Sequence, residues 1–231
     1  MSYISKNAVI YDNVIIGENV VIEDFVVIYP GVVIDDDVEV MSGAIIGRLP
    51  KGAGATSRKT TNEYKLCSIG KGSVISPNVV IYTDVKIGKN CLIGDSATIR
   101  EQCVIGDKCI ISRLVSVNYN TIIGNNSKIM DNTHITGNMS IGNNVFISVL
   151  VATTNDNNIG AKGYNDDLIK GPIIEDNVLI GAGANILPAI RIGKNSIVGA
   201  ASLVTKDVPE GKVVMGVPAK IVRDVLIKED L

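Results

Sequence analysis

The stretch "IGKGSVISPNVVIYTDVKIGKNCLIGDSATIREQCVIGDKCII", residues 69–111, decides how this chain folds. Ile69, Ile75, Ile81, Ile87, Ile93, Ile99, Ile105 and Ile111 recur every six residues. Val117, Ile123, Ile129, Ile135, Ile141, Ile147 and Thr153 continue the series without slippage. An earlier block runs Ile4, Ile10, Ile16, Ile22, Ile28, Ile34, Val40, and a later one Ile174, Ile180, Ile186, Ile192, Val198, Val204. A fixed internal period is the first feature to interpret in a sequence. Residues six apart on a helix point about 120° away from one another, so this period does not suit a helix. Six is a multiple of two, which short strands can carry. A bend every six residues closes three strands into a triangular coil of 18 residues, and stacked coils bury Ile on Ile at a strand spacing of roughly 4.8 Å. Stability then comes from each coil resting on its neighbours.

Composition agrees. Aromatic residues are 4% of the chain and tryptophan is absent, so Ile, Val and small residues must fill a narrow interior. The net charge of −2, with both signs mixed, favours neither nucleic acid nor an anionic membrane. Residues Met1–Asn7 lack a basic region followed by an apolar stretch, and no run approaches the roughly 18 apolar residues of a membrane span. A cytoplasmic location is expected. Cys67, Cys91, Cys103 and Cys109 are separated by 24, 12 and 6 residues, so all four take the same small inward slot. They read as buried small hydrophobes, with no metal-ligand spacing.

The register breaks twice. Ile46 and Ile69 are 23 residues apart, and Thr153 and Ile174 are 21 apart, where six would serve. The extra segments, "GRLPKGAGATSRKTTNEYK" and "TNDNNIGAKGYNDDLIKGP", have loop composition. Long loops inside a compact repeat are usually functional or disordered. Both leave the same column of the 18-residue repeat, so both are expected to line one groove. His134, the only histidine, precedes Ile135 in that column, and Asn155 and Asp156 follow Thr153 one coil higher. Histidine is the side chain best suited to accept a proton near neutral pH. Arg48, Lys51, Arg58 and Lys59 give the first loop cations for an anionic substrate.

The repeat is similar to that of the hexapeptide-repeat family. The resemblance implies an all-β fold: a left-handed parallel β-helix, a triangular prism of about nine coils. The helix would span residues 1–208 with loop insertions near 47–67 and 155–172, followed by a tail over 209–231. The C-terminal stretch, with Gly181–Ala184, Val204–Pro209 and Gly216–Lys220, resembles the tail of acyl-CoA-dependent members. That implies a coenzyme A groove in which Ala182 and Ala200 leave room for the pantetheine arm. Thr205, Lys206, Lys220 and Arg223 would complete it, the cations meeting phosphates. It also implies a homotrimer with active sites between subunits.

The segment "THITGN" resembles "AHIAHD"-type segments of lipid A acyltransferases, with Gly137 standing where those have their second histidine. "VFISVLVATTNDN" resembles the segment of nucleotide-sugar N-acetyltransferases that positions a sugar amine, and Thr154, Asn155 and Asp156 match it. The expected activity is transfer of an acetyl or short acyl group from acyl-CoA to the amine of a nucleotide-linked amino sugar. His134, Asn155 and Asp156 would be the catalytic set, and Arg48, Lys51, Arg58 and Thr154 would hold substrate. O-acetylation of a sugar hydroxyl and a non-catalytic scaffold are the alternatives. A zinc-dependent hydratase on the same helix needs about three histidines, more than this chain supplies.

Overall fold

A computed structural model describes residues 2–55, 58–165 and 167–226 of the 231-residue chain. Strands of two to five residues account for its regular structure. Up to the C-terminal hairpin every third strand joins the same sheet in parallel, giving three sheets of twelve, ten and nine strands, the twelve including that hairpin. These are the three faces of a left-handed parallel β-helix. Nine coils place a strand on every face. A partial tenth closes through a parallel bridge between Ile192 and Val208. The expected count was about nine, and the tenth forms because the register persists through Val204 into the Val208 turn.

Partners in neighbouring coils are 18 residues apart through most of the stack, as in Ile81 with Ile99 and Ile99 with Val117, and the spacing shortens to 16 at the last turn, where Ile197 pairs with Val213. The Ile columns are thereby stacked inward and fully buried from Ile22 to Val198. The turn between strands is as regular as the strands. One residue per corner is left-handed, with Asn78, Asn90, Asn126, Asn132, Asn138 and Asn144 all at φ between 54° and 63°. Asparagine tolerates this region better than other non-glycine residues, which explains its recurrence three residues after the inward Ile.

The four cysteines are free and buried in the small inward slot. Burial pushes the Cys67 and Cys103 thiols up to about 12, so they are inert in the folded chain. Serine and threonine share that slot and stay satisfied by bridging coils. Ser127 Oγ accepts from Val145 N at 3.0 Å and donates to Gly142 O at 2.8 Å.

Both irregular segments leave from the second, ten-stranded face and re-enter on the third. The first joins the strand Ile45–Arg48 to Cys67–Ile69, and the second joins Ala152–Thr153 to Ile173–Ile174. Each departure disturbs the ladder. The pairing of Ile81 and Tyr82 with Ile46 and Arg48 shifts register. At Thr153 a side chain replaces the backbone: its Oγ1 accepts from Thr136 N at 2.8 Å and donates to His134 O at 3.0 Å. A threonine thus stands in the Ile column where the chain turns away. At the C-terminus Lys212–Met215 adds to the first face, and Lys220–Asp224 pairs with it antiparallel.

Candidate functional site

The strand His134–Ile135 lies on the second face, with Ser116 one coil below and Ala152 one coil above. Ile135 points inward and His134 outward. The imidazole Nδ1 sits 2.7 Å from Ser116 Oγ. The ring is exposed at the surface of the face, yet desolvation by the surrounding protein lowers its pKa below the ordinary histidine value. Neutral imidazole is therefore the resting form at neutral pH.

His134 lines a groove of about 550 Å³ together with Asn118, Ala152, Thr154, Asn155 and Asp156. The sequence-predicted set of His134, Asn155 and Asp156 is thus brought together, with Thr154 beside it. The two loop residues are already engaged. Asn155 Nδ2 donates to Gly137 O at 3.1 Å, tethering the loop to the coil below. Asp156 accepts from the amides of Asn158 and Gly160, both at 2.7 Å, and those bonds hold its carboxyl below the usual carboxylate range. Asp156 is thus a turn anchor, and His134 is the other titratable side chain of the groove.

A second cavity of about 360 Å³ adjoins the groove through Asp156 and Gly160. Its walls come from both loops and the helix corner: Arg58 and Thr60 from the first loop, Tyr164 from the second, Arg100 and Tyr119 between them. The Arg58 guanidinium lies 3.8 Å over the Tyr119 ring. Tyr164 meets the same ring edge-on, with centroids 6.5 Å apart. Beneath them Glu101 is 2% exposed and binds both Arg58 and Arg100, the latter by a two-pronged contact at 3.1 and 3.2 Å. Arg100 and Arg48 in turn flank the Tyr82 ring at 5.6 and 4.8 Å. Arg58 and Arg48, expected to hold substrate, are thus built into an arginine–tyrosine ladder, while Lys51 is exposed on the loop. Gly137 has its reason here as well, since a Cβ on it would stand 2.7 Å from the Tyr119 ring.

Toward the C-terminus, Thr205, Lys206 and Lys220 line a cavity of about 330 Å³. Ala182 and Ala200 lie outside it, on the opposite edge of the same face, where Ala201 N donates to Ala182 O at 2.8 Å. Arg223 is exposed on the final strand, its Nη1 donating to Asp224 O. From His134 the second face climbs through Ala152 and Asn185 to Leu203, three rungs or roughly 14 Å at strand spacing. Ser116, Glu101, Arg100, Tyr119 and Tyr164 were not singled out from the sequence. Ser116 was findable, being 18 residues before His134. Arg58 meeting Glu101 had no such signal, because loop residues follow no register. Among the described residues no group of three or more His, Cys, Asp or Glu could hold a metal ion, and no helix is long and apolar enough to cross a membrane.

Comparison with known proteins places these features in a family. The bacterial transferase hexapeptide (six repeats) profile matches residues 13–48, 66–101, 84–118 and 171–206, more than half of the chain. A 2,3,4,5-tetrahydropyridine-2,6-dicarboxylate N-acetyltransferase of Staphylococcus aureus (strain bovine RF122 / ET3-1) is 48% identical over 77 residues, 31% of this chain and 32% of that protein. A galactoside O-acetyltransferase of Lactococcus lactis subsp. lactis (strain IL1403) is 54% identical over 52 residues, 22% of this chain and 25% of that protein. The matches span about a third or less of these relatives' own length. The structure of an Arabidopsis UDP-N-acetylglucosamine acyltransferase superimposes over 96% of this chain and 74% of its own, with a TM-score of 0.73 and 19% identity, a likeness of fold. Repeat, corner geometry and family profile agree, and the chain belongs to the bacterial transferase hexapeptide family.

Proposed function

We propose that the protein is an acyltransferase that moves an acetyl or short acyl group from acyl-CoA to the amine of a nucleotide-linked amino sugar. The observation that carries this reading is His134, neutral and open to the groove, with an aromatic cavity on its N-terminal side and a basic cavity on its C-terminal side. A donor whose phosphates meet Lys206 and Lys220 has roughly 14 Å of the second face along which to extend its arm. Ala152 keeps that face low just above His134. The acceptor ring would rest against Tyr119 and Tyr164. Arg58 and Arg100 share the Glu101 carboxylate and Asp156 adds a second to the same cavity, so the pocket favours a ring with polar edges over a bare anion.

In the reaction the acceptor amine attacks the thioester carbonyl and His134 removes its proton, a contribution typically worth about 10²–10⁴ in rate. The thiolate of coenzyme A leaves and recovers a proton. The relatives named as N- and O-acetyltransferases support acyl transfer as the reaction class. Their family also supports a homotrimer with sites between subunits, and the apolar outer residues Leu92, Phe146, Leu179 and Ile122 would be covered there.

The test is incubation with acetyl-CoA and matched pairs of amino-sugar nucleotides and their hydroxyl counterparts, reading released thiol. Release with the amines is expected. Release only with hydroxyl acceptors establishes the O-acetyl alternative, and failure to bind coenzyme A in a titration returns the chain to a scaffold.

A further inference from the structure

Ser116 stands against His134 and has no part in the reaction as drawn above. The strands Ser116–Val117 and His134–Ile135 pair in register, so the hydroxyl and the imidazole are consecutive on the outer surface of the second face. Their separation, 2.7 Å between Oγ and Nδ1, is that of a full hydrogen bond. Among the described residues it is the ring's one hydrogen bond. The histidine backbone is fixed on both sides, its N–H to Val151 O at 2.9 Å and its carbonyl to Thr153 Oγ1 at 3.0 Å.

Which nitrogen carries the proton decides what this ring can do. Only the unprotonated nitrogen can accept a proton from an acceptor amine. Free imidazole in histidine prefers its proton on Nε2, which would leave the basic lone pair on Nδ1, aimed back at Ser116 and away from the reacting amine. The Ser116 hydroxyl can accept the Nδ1 proton or donate to a bare Nδ1, and only the first arrangement leaves Nε2 as the base.

We propose that Ser116 is a positioning residue that sets the His134 tautomer: its Oγ accepts the Nδ1 proton, and the Nε2 lone pair is left free for the acceptor amine. This rests on the reading of His134 as the base. Asp156 is the titratable side chain in the same groove, and its carboxylate is held by the Asn158 and Gly160 amides instead of competing for the imidazole. The arrangement does the orienting work that a carboxylate partner does elsewhere.

His134 is the chain's only histidine, so the imidazole ¹⁵N spectrum of histidine-labelled protein reports one ring. The full chain, recorded with the ring neutral, is expected to show a protonated Nδ1 and an unprotonated Nε2. In Ser116→Ala the spectrum should move toward the Nε2-protonated form and kcat should fall roughly tenfold or more, with the acceptor KM within about twofold. Ser116→Thr, which keeps the hydroxyl, should retain both. An Ala already occupies the rung above His134, so Ser116→Ala is compatible with this column, and its thermal unfolding serves as the check.

A wild-type ring protonated on Nε2, or a Ser116→Ala spectrum like the wild type, overturns the proposal. His134→Ala separates the two levels. If that variant keeps activity within about threefold, the base reading itself fails. If it is inactive while Ser116→Ala leaves spectrum and kcat unchanged, only the role of Ser116 fails.

Discussion

Desolvation without a countercharge makes His134 hard to protonate, and that has consequences at two levels. The free base persists into mildly acidic solution, so kcat/KM should hold at neutral pH and decline only below about 6.5. The unfolded chain takes up the proton at its ordinary pKa, whereas the folded chain resists it. The stability contributed by keeping His134 neutral is thus present above about pH 6.5 and is lost as the pH falls below that value. His134→Gln should flatten the dependence of the denaturation midpoint on pH in this window, and a midpoint as pH-sensitive as the wild type's would argue against it. Asp156 shows where sequence reading reached its limit. A T-N-D run at a loop start invites a catalytic role. The carboxylate instead turns onto the amides of its own loop, an arrangement fixed by the loop's closed path through Gly160 and not by residue type.

At the scale of the strand and its corner, the hexad specifies almost everything. Inward Ile, outward neighbour, small slot and left-handed corner each have a fixed place in six residues, which is why the faces and the shared exit of the loops were legible before any coordinates. The corner residues also show where the chain is suboptimal. Leu114 and Leu150 adopt φ of 58° and 60° while being 58% and 62% exposed. A branched side chain in this region costs roughly 1–2 kcal/mol, and neither leucine recovers much of that by burial. Leu114→Asn is expected to raise stability by about 0.5–1 kcal/mol, read as a higher urea midpoint at unchanged slope. The glycine after the inward Ile is under the opposite constraint. A Cβ on Gly124 would stand 2.6 to 2.8 Å from the backbone of Gly142 and Asn143 in the next coil. Gly124→Ala should therefore cost about 1–3 kcal/mol, because two rigid coils must separate. The loops were legible only as departures from register. That Arg58 would reach a buried Glu101 depends on how a segment without periodicity packs, and a hexad carries no information about that.

The whole molecule has a direction. Coils stack in one order, and the second face places the arginine–tyrosine cavity below His134 and the basic cavity above it. Coupling along such a stack runs mainly between neighbouring coils, so a surface change several rungs from His134 should leave the chemistry there intact. If donor and acceptor approach from opposite ends, their binding should be separable by substitution. Replacing Lys206 and Lys220 together with Ala removes two cations from the C-terminal cavity. It should raise the KM for acetyl-CoA about tenfold and leave the acceptor KM unchanged. Tyr164→Ala removes an aromatic wall from the N-terminal cavity, for an expected rise of about three- to tenfold in the acceptor KM alone. Neither should alter kcat, because neither side chain lies in the groove around His134. A crossed result, with Tyr164→Ala weakening acetyl-CoA, would reverse the direction assigned to the two substrates. Equal effects on both would mean that they share one channel along the second face, with His134 no longer at the boundary between two separate sites.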